Sequence, residues 1–252
     1  MLKTAKNLSA GYVAWHLLVA MLLAAAILAV TTAPMEQSMG HAQRVLYVHV
    51  SVAWLGLLGF IVMAAASVAY LLRRDLAWDH WSQSAGELGW LCCSLTLVTG
   101  SLWAHAAWGT WWTWEPRLLS SFILWALYSS YLLIRSGIPD AHHRARLSAV
   151  VAVLGVLDVP LVLMATRWFR GMHPVTPEME PSMRVVMLLT VLSFTSLFGT
   201  LFWHRRTQIQ LEHRILTLQS SIDTPGSCSV GPRSISVPRS GLGALSSGTP
   251  PH

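Results

Sequence analysis

The chain has 252 residues, of which 54% are hydrophobic and only 11% charged, with a net charge of +6; an ordinary soluble domain carries roughly one quarter charged residues. That balance excludes a soluble domain and places the chain in a bilayer. No nucleic-acid partner is needed to explain the charge, which follows the topology read below.

A membrane-spanning helix needs about 20 mostly apolar residues, and six stretches qualify, at roughly 12–33, 45–72, 87–107, 118–134, 148–166 and 185–203. They predict an all-α integral membrane protein of six transmembrane helices, with residues 1–204 as one bundle. Lys3 and Lys6 precede the first run as they would in a secretory signal, but Tyr12–Ala33 is longer than the usual signal core of about 7–15 residues, so it reads as a retained helix. In the third run Cys92 and Cys93 are neighbours without Cys-x-x-Cys spacing, and Cys228 lies in the tail; no disulfide is expected. The absence of Cys-x-x-Cys-His excludes a c-type cytochrome carrying covalent haem. Residues 205–252 form a tail, rich in Ser, Gly and Pro after about 221, where the composition predicts disorder.

Orientation follows from the cations that flank the runs. Lys3, Lys6, Arg73, Arg74, Arg135, Arg144, Arg146, Arg205, Arg206 and Arg214 fall on one side; Arg44, Arg117, Arg167, Arg170 and Arg184 fall on the other. This asymmetry predicts both termini in the cytoplasm. The segments around 34–44, 108–117 and 167–184 then face outward, to the periplasm in a Gram-negative host.

One outward segment is "WGTWWTWEPRLLS", residues 108–120. Tryptophans gather singly at membrane interfaces, which suffices for Trp15, Trp54, Trp90, Trp103, Trp125 and Trp203. Four within seven residues, Trp108, Trp111, Trp112 and Trp114, exceed what an aromatic belt needs, and Gly109 among them permits close backbone approach. If the loop is helical, Trp108, Trp111 and Trp112 share a face that Trp114 continues. The expected result is an apolar platform for a large planar ligand with polar edges.

Histidine is the second signal. His80, His142, His143, His204, His213 and His252 fall on the cytoplasmic side, whereas His41, His49, His105 and His173 are outward or nearly so. A single such histidine is more often a hydrogen-bonded side chain than a ligand. His49 and His173, on the same side as the tryptophans, are a pair of the kind that holds a haem iron from both faces.

These segments resemble a known family. "WGTWWTWEPRLLS" resembles the tryptophan-rich loop, the WWD motif, of haem-handling proteins in cytochrome c assembly, and "VLYVHVSVAWLG" and "RWFRGMHPV" are similar to the histidine-bearing segments of the CcmC (haem exporter protein C) family of the system I pathway. The relatives CcmF and CcsA are larger. The resemblance covers about residues 10–205. It implies that His49 and His173 are axial ligands of haem b and that Trp108, Gly109, Trp111, Trp112 and Trp114 lie under the porphyrin, with Glu115 and Arg117 beside them. It also implies a non-enzymatic role, that of binding haem at the periplasmic face of the inner membrane and delivering it to the haem chaperone CcmE, with the ATP-binding-cassette subunits CcmA and CcmB and the small protein CcmD. The chain has no Gly-x-x-x-x-Gly-Lys-Ser/Thr loop to bind ATP phosphates.

Glu115 stands where the family usually has aspartate, and His105 is an extra histidine beside the loop. Arg44, Arg117, Arg170 and Arg184 are the outward cations available to haem propionates. Asp158, at membrane depth, is either functional or an acceptor near Pro160. The competing functions are a b-type cytochrome subunit passing electrons, for which His16 is the deep intramembrane candidate, a haem lyase of the same superfamily, and a structural subunit whose tryptophans only anchor it.

Overall fold

The positions between the apolar runs decide where helices stop, and in the computed structural model, which describes residues 2–37, 40–169, 171–173 and 179–223, they leave seven helical segments. These are α1 (Leu2–Thr32), α2 (Ala42–Arg73), α3 (Leu76–Trp108), α4 (Pro116–Gly137), α5 (Ala141–Gly155), α6 (Asp158–Trp168) and α7 (Pro181–Asp223). Arg74 closes α2 with a left-handed φ of 56° and donates its N–H to the Tyr70 carbonyl at 2.7 Å. Asp75 then starts α3 by accepting from the Ala77 N–H at 2.8 Å. Gly109 ends α3 at φ 72°, the conformation glycine adopts most cheaply, and Pro116 opens α4 where no backbone N–H is required.

Five helical stretches are long and apolar enough to cross a membrane: 10–32, 42–73, 116–137, 141–168 and 181–220. The expected third span, 87–107, lies within α3, which is not among these five; polar groups in the first part of α3 are enclosed by neighbours. Arg135 of α4 donates to Asp79 at 2.7 and 2.9 Å and to Gln83 at 2.6 Å, with the Arg135 and Asp79 side chains each 6% exposed.

The expected fifth span, 148–166, is broken into α5 and α6 at 156–157. Pro160 has no N–H for the Val156 carbonyl, and its ring would collide with that carbonyl in a continuous helix. The helix expected over 185–203 runs on to Asp223, so the segment directly after 204 is helical. Among the described residues, those up to His213 form one compact unit, and the end of α7 from Arg214 belongs to a second. Cys228, and the tail beyond 223 for which disorder was expected, lie outside the described residues.

Small residues bring α2 and α3 together. A Cβ on Gly59 would stand 2.8 Å from the Gly89 Cα, and one on Gly56 3.4 Å from the Cys93 backbone nitrogen. Around this seam Phe60, Met63, Leu124, Tyr128, Tyr131 and Val162 form the principal buried core. Cys92 and Cys93 are buried and free. Helix α1 runs antiparallel to α7: Trp15 Nε1 donates to Thr200 Oγ1 at 2.9 Å, and Ser193 Oγ lies 2.9 Å from the Leu22 carbonyl. Its other faces expose Met21, Ile27 and Leu28, as a lipid-facing helix does.

Candidate functional site

Four helices and two connecting segments line one cleft, of about 780 Å³ when the open space at its mouth is counted. His49, Ala53, Gly56 and Phe60 line it from α2 at successive helical turns. Cys93, Thr96, Gly100 and Ala104 do the same from α3, while Arg117, Ser121 and Leu124 come from α4 and Val162 from α6. Trp112 and His173 complete it from the connecting segments. The two histidines singled out in the sequence, 124 positions apart by number, therefore share one cavity.

Hydrogen bonds fix which ring nitrogen each histidine offers. The Thr99 hydroxyl donates to the Leu95 carbonyl at 2.7 Å, so its oxygen accepts from His49 Nδ1–H at 3.1 Å. His49 Nε2 is then the unprotonated nitrogen. Gly100 makes room for this ring, because a Cβ there would stand 2.8 Å from His49 Cε1.

His173 Nδ1–H is held by the Glu115 carboxylate, whose other oxygen accepts from the Met172 N–H at 2.8 Å. Nε2 is again the nitrogen left free. A carboxylate or hydroxyl behind the distal nitrogen is the arrangement that orients a metal-binding imidazole. Burial pulls the His173 imidazole below its ordinary pKa, while Glu115 pushes it up and Arg117 pulls it down.

The tryptophan segment differs from a single helical platform. Because Gly109 ends α3, residues 109–115 are not helical, and the indoles meet one another at steep angles. Trp108 lies edge-on to Trp103 at 77° and to His173 at 81°; Trp112 and Trp114 cross at 79°. Trp112 alone of the four lines the cavity, and its Nε1–H is buried without a partner. Trp114 is 77% exposed. Gly109 serves as the cap of α3, with open space where a side chain would be.

Trp111 stacks on His105 with ring centroids 3.9 Å apart, which keeps His105 out of the cavity lining. Among the outward arginines Arg117 lines the cavity and makes no salt bridge among the described residues. Arg184 turns to the Met179 carbonyl at 3.0 Å, Arg44 is not part of the lining, and Arg170 lies outside the described residues. Asp158 is buried in the first turn of α6 with Oδ2 unpartnered, and it does not line the cavity.

Two imidazole nitrogens, an unpartnered indole N–H and a guanidinium in a mainly apolar cavity suit a flat apolar ligand with a metal centre and anionic edges. Thr99 and Gly100, which support His49, carry no motif; Gly100 lies on the cavity face of α3 and Thr99 directly precedes it.

A family profile described as heme exporter protein C, CcmC, matches residues 2–221. The chain is 29% identical over 205 residues to heme exporter protein C of Bradyrhizobium diazoefficiens, covering 79% of this chain and 78% of that one. It is 32% identical to a ccmC-like mitochondrial protein of cytochrome c biosynthesis from Marchantia polymorpha, covering 73% and 81%. To heme exporter protein C of Escherichia coli K12 it is 26% identical, covering 74% and 76%.

Proposed function

The chain belongs to the CcmC family, heme exporter protein C, and from that membership we propose that it holds haem b between His49 and His173 at the outer membrane face and passes it to the haem chaperone CcmE. It is a multi-pass membrane protein that handles haem for cytochrome c maturation. The observation that carries the finer reading is the pair of imidazoles lining one cavity, each with Nδ1–H engaged and Nε2 free.

In this reading the iron supplies the coordination centre, and the chain supplies the hold. Thr99 and Glu115 fix the two imidazole rings, Trp112 and the apolar faces of α2 and α3 exclude water, and Arg117 and the Trp112 N–H meet the propionates. Six spans, with the polar α3 as the third, put residues 109–115 and 173 on the outer side of the bacterial inner membrane and both termini in the cytoplasm. The exposed Trp111 and Trp114 then form the surface offered to the chaperone. No catalytic residue is assigned. Energy comes from a partner, CcmA with CcmB, alongside CcmD, because the chain has no phosphate-binding loop.

The test is the visible absorption spectrum of the detergent-purified protein co-expressed with the chaperone, for wild type, His49→Ala, His173→Ala, Trp112→Ala and Trp111→Ala. Haem in the wild type with altered ligation in each histidine variant, weaker retention in Trp112→Ala and near-normal retention in Trp111→Ala supports the reading. Haem accumulating on the chaperone separates delivery from electron transfer. A folded wild type that stays haem-free with haem abundant overturns it.

A further inference from the structure

On α1 and α7, in a different pocket from the one that holds His49 and His173, three donor atoms converge. His16 Nε2 lies 3.1 Å from His204 Nε2, and the Tyr12 hydroxyl lies 3.1 Å from the same His204 nitrogen. His16 Nδ1 lies 2.7 Å from the Tyr12 carbonyl. A carbonyl only accepts, so His16 carries its proton on Nδ1 and turns the Nε2 lone pair towards His204. Without an ion, His204 Nε2–H fills the gap by donating to that lone pair.

The geometry points to a site for a divalent first-row transition cation, of the zinc or copper class, held by His16 Nε2, His204 Nε2 and the Tyr12 hydroxyl. Two nitrogens bound at about 2.0–2.1 Å with tetrahedral angles stand about 3.3–3.4 Å apart. The observed 3.1 Å separation is within a few tenths of that, so an ion enters with little movement of either helix. The proton on His204 moves from Nε2 to Nδ1, and both rings then present a lone pair.

The backbone carbonyl behind His16 Nδ1 is the support that metal-binding imidazoles use. Imidazole with an oxygen donor suits zinc and copper, whereas calcium and magnesium need oxygen-only sets. Water would fill the remaining positions from the open pocket that these residues line with Trp15, Thr200 and Trp203.

Haem does not fit this pair. Axial ligand nitrogens on opposite faces of one iron stand about 4 Å apart with the porphyrin between them, whereas these two Nε2 atoms lie 3.1 Å apart. In this arrangement the pair leaves no room for a porphyrin between its nitrogens. Among the described residues no group of three or more His, Cys, Asp or Glu gathers into a metal site, so the phenol is the third donor. The ion would tie α1 to α7 beside the Trp15–Thr200 hydrogen bond.

The experiment uses the full chain in detergent, stripped with chelator and titrated with Zn2+ against a chromophoric competitor, in wild type, His16→Gln, His204→Gln, Tyr12→Phe and His80→Gln. His80, whose ring lies 5.5 Å from that of His213, is the control for adventitious histidine binding. The expected result is one Zn2+ per chain, weakened at least about tenfold by either His16→Gln or His204→Gln, weakened less by Tyr12→Phe, and unchanged by His80→Gln. Haem retention stays at the wild-type level throughout, which keeps this outcome distinct from that of the haem site. Cu2+ bound to the wild type gives a variant-free readout, with electron paramagnetic resonance expected to count two imidazole nitrogens. Equal Zn2+ affinity in wild type and both histidine variants, or a nitrogen count other than two, overturns the site and leaves the pair as a hydrogen bond between helices.

Discussion

His173 owes its orientation to Glu115, 58 residues earlier in the chain. Replacing that carboxylate by Glu115→Gln is expected to weaken haem retention about 10- to 100-fold at pH 7, the usual cost of losing a group behind a metal-binding histidine. Glu115→Asp, shorter by one methylene, is expected to fall between that variant and wild type, and haem competition titrations rank the three. Burial is the largest influence on the His173 imidazole and lowers its pKa from the ordinary 6.5, so the neutral, ligating form persists below that pH. Haem retention should then be flat from about pH 8 to about 6.5 and fall only in more acid solution. Glu115 is the group that raises this pKa, so the His173 imidazole of the haem-free protein should titrate lower in Glu115→Gln than in wild type. An imidazole midpoint that moves upward in a nuclear magnetic resonance titration of the haem-free protein contradicts the assigned contact. The two histidines were legible in the sequence because each sits in a distinctive segment on the same predicted side. The Glu115–His173 bond was not, because helical periodicity reports neighbours three or four positions apart and says nothing about loops that meet only after folding.

The helices carry their own predictions. Arg135 and Asp79 are a buried pair joining α4 to α3, and Asp79→Ala leaves the guanidinium in the core without its carboxylate. Removing one partner of such a pair costs about 3–5 kcal/mol, so thermal unfolding in detergent should begin well below the wild-type temperature; an unchanged transition would mean that water reaches Arg135. Gly109→Ala is expected to cost about 1 kcal/mol through its left-handed backbone alone, since nothing lies where the new methyl would go. The apolar runs made the helices legible, and what they hid follows from the same rule. The first part of α3 carries Asp79 and Gln83 and so falls outside the expected span, which begins at Glu87, although α4 and α7 supply partners for all three: Arg135 for Asp79 and Gln83, and Arg205 at 2.5 Å for Glu87. The break between α5 and α6 was signalled by Pro160 within an otherwise continuous apolar run, a run whose hydropathy alone gives no sign of it.

Taken whole, the molecule must present its cavity to one side, and the cation count of ten against five argues for the side opposite the termini. The native cysteines make this testable with little alteration. Cys92 and Cys93 are buried and should be silent to a membrane-impermeant maleimide, which leaves Cys228 in the tail as the reporter of the C-terminal side. In spheroplasts the wild type should label only after the membrane is opened. Trp114→Cys in a Cys228→Ser background should label at once, because residue 114 is 77% exposed and belongs to the segment beside His173. A tryptophan is lost at a position that does not line the cavity, so haem retention in that variant serves as the check that its site is intact. The reverse pattern, with Cys228 labelled in intact spheroplasts and position 114 protected, would turn the cavity towards the cytoplasm and make hand-off to a periplasmic chaperone impossible, whatever the haem affinity. Labelling of both positions in intact spheroplasts would place them on one side and break the sixfold crossing, since residues 114 and 228 are separated by three predicted spans, an odd number, which must put them on opposite faces.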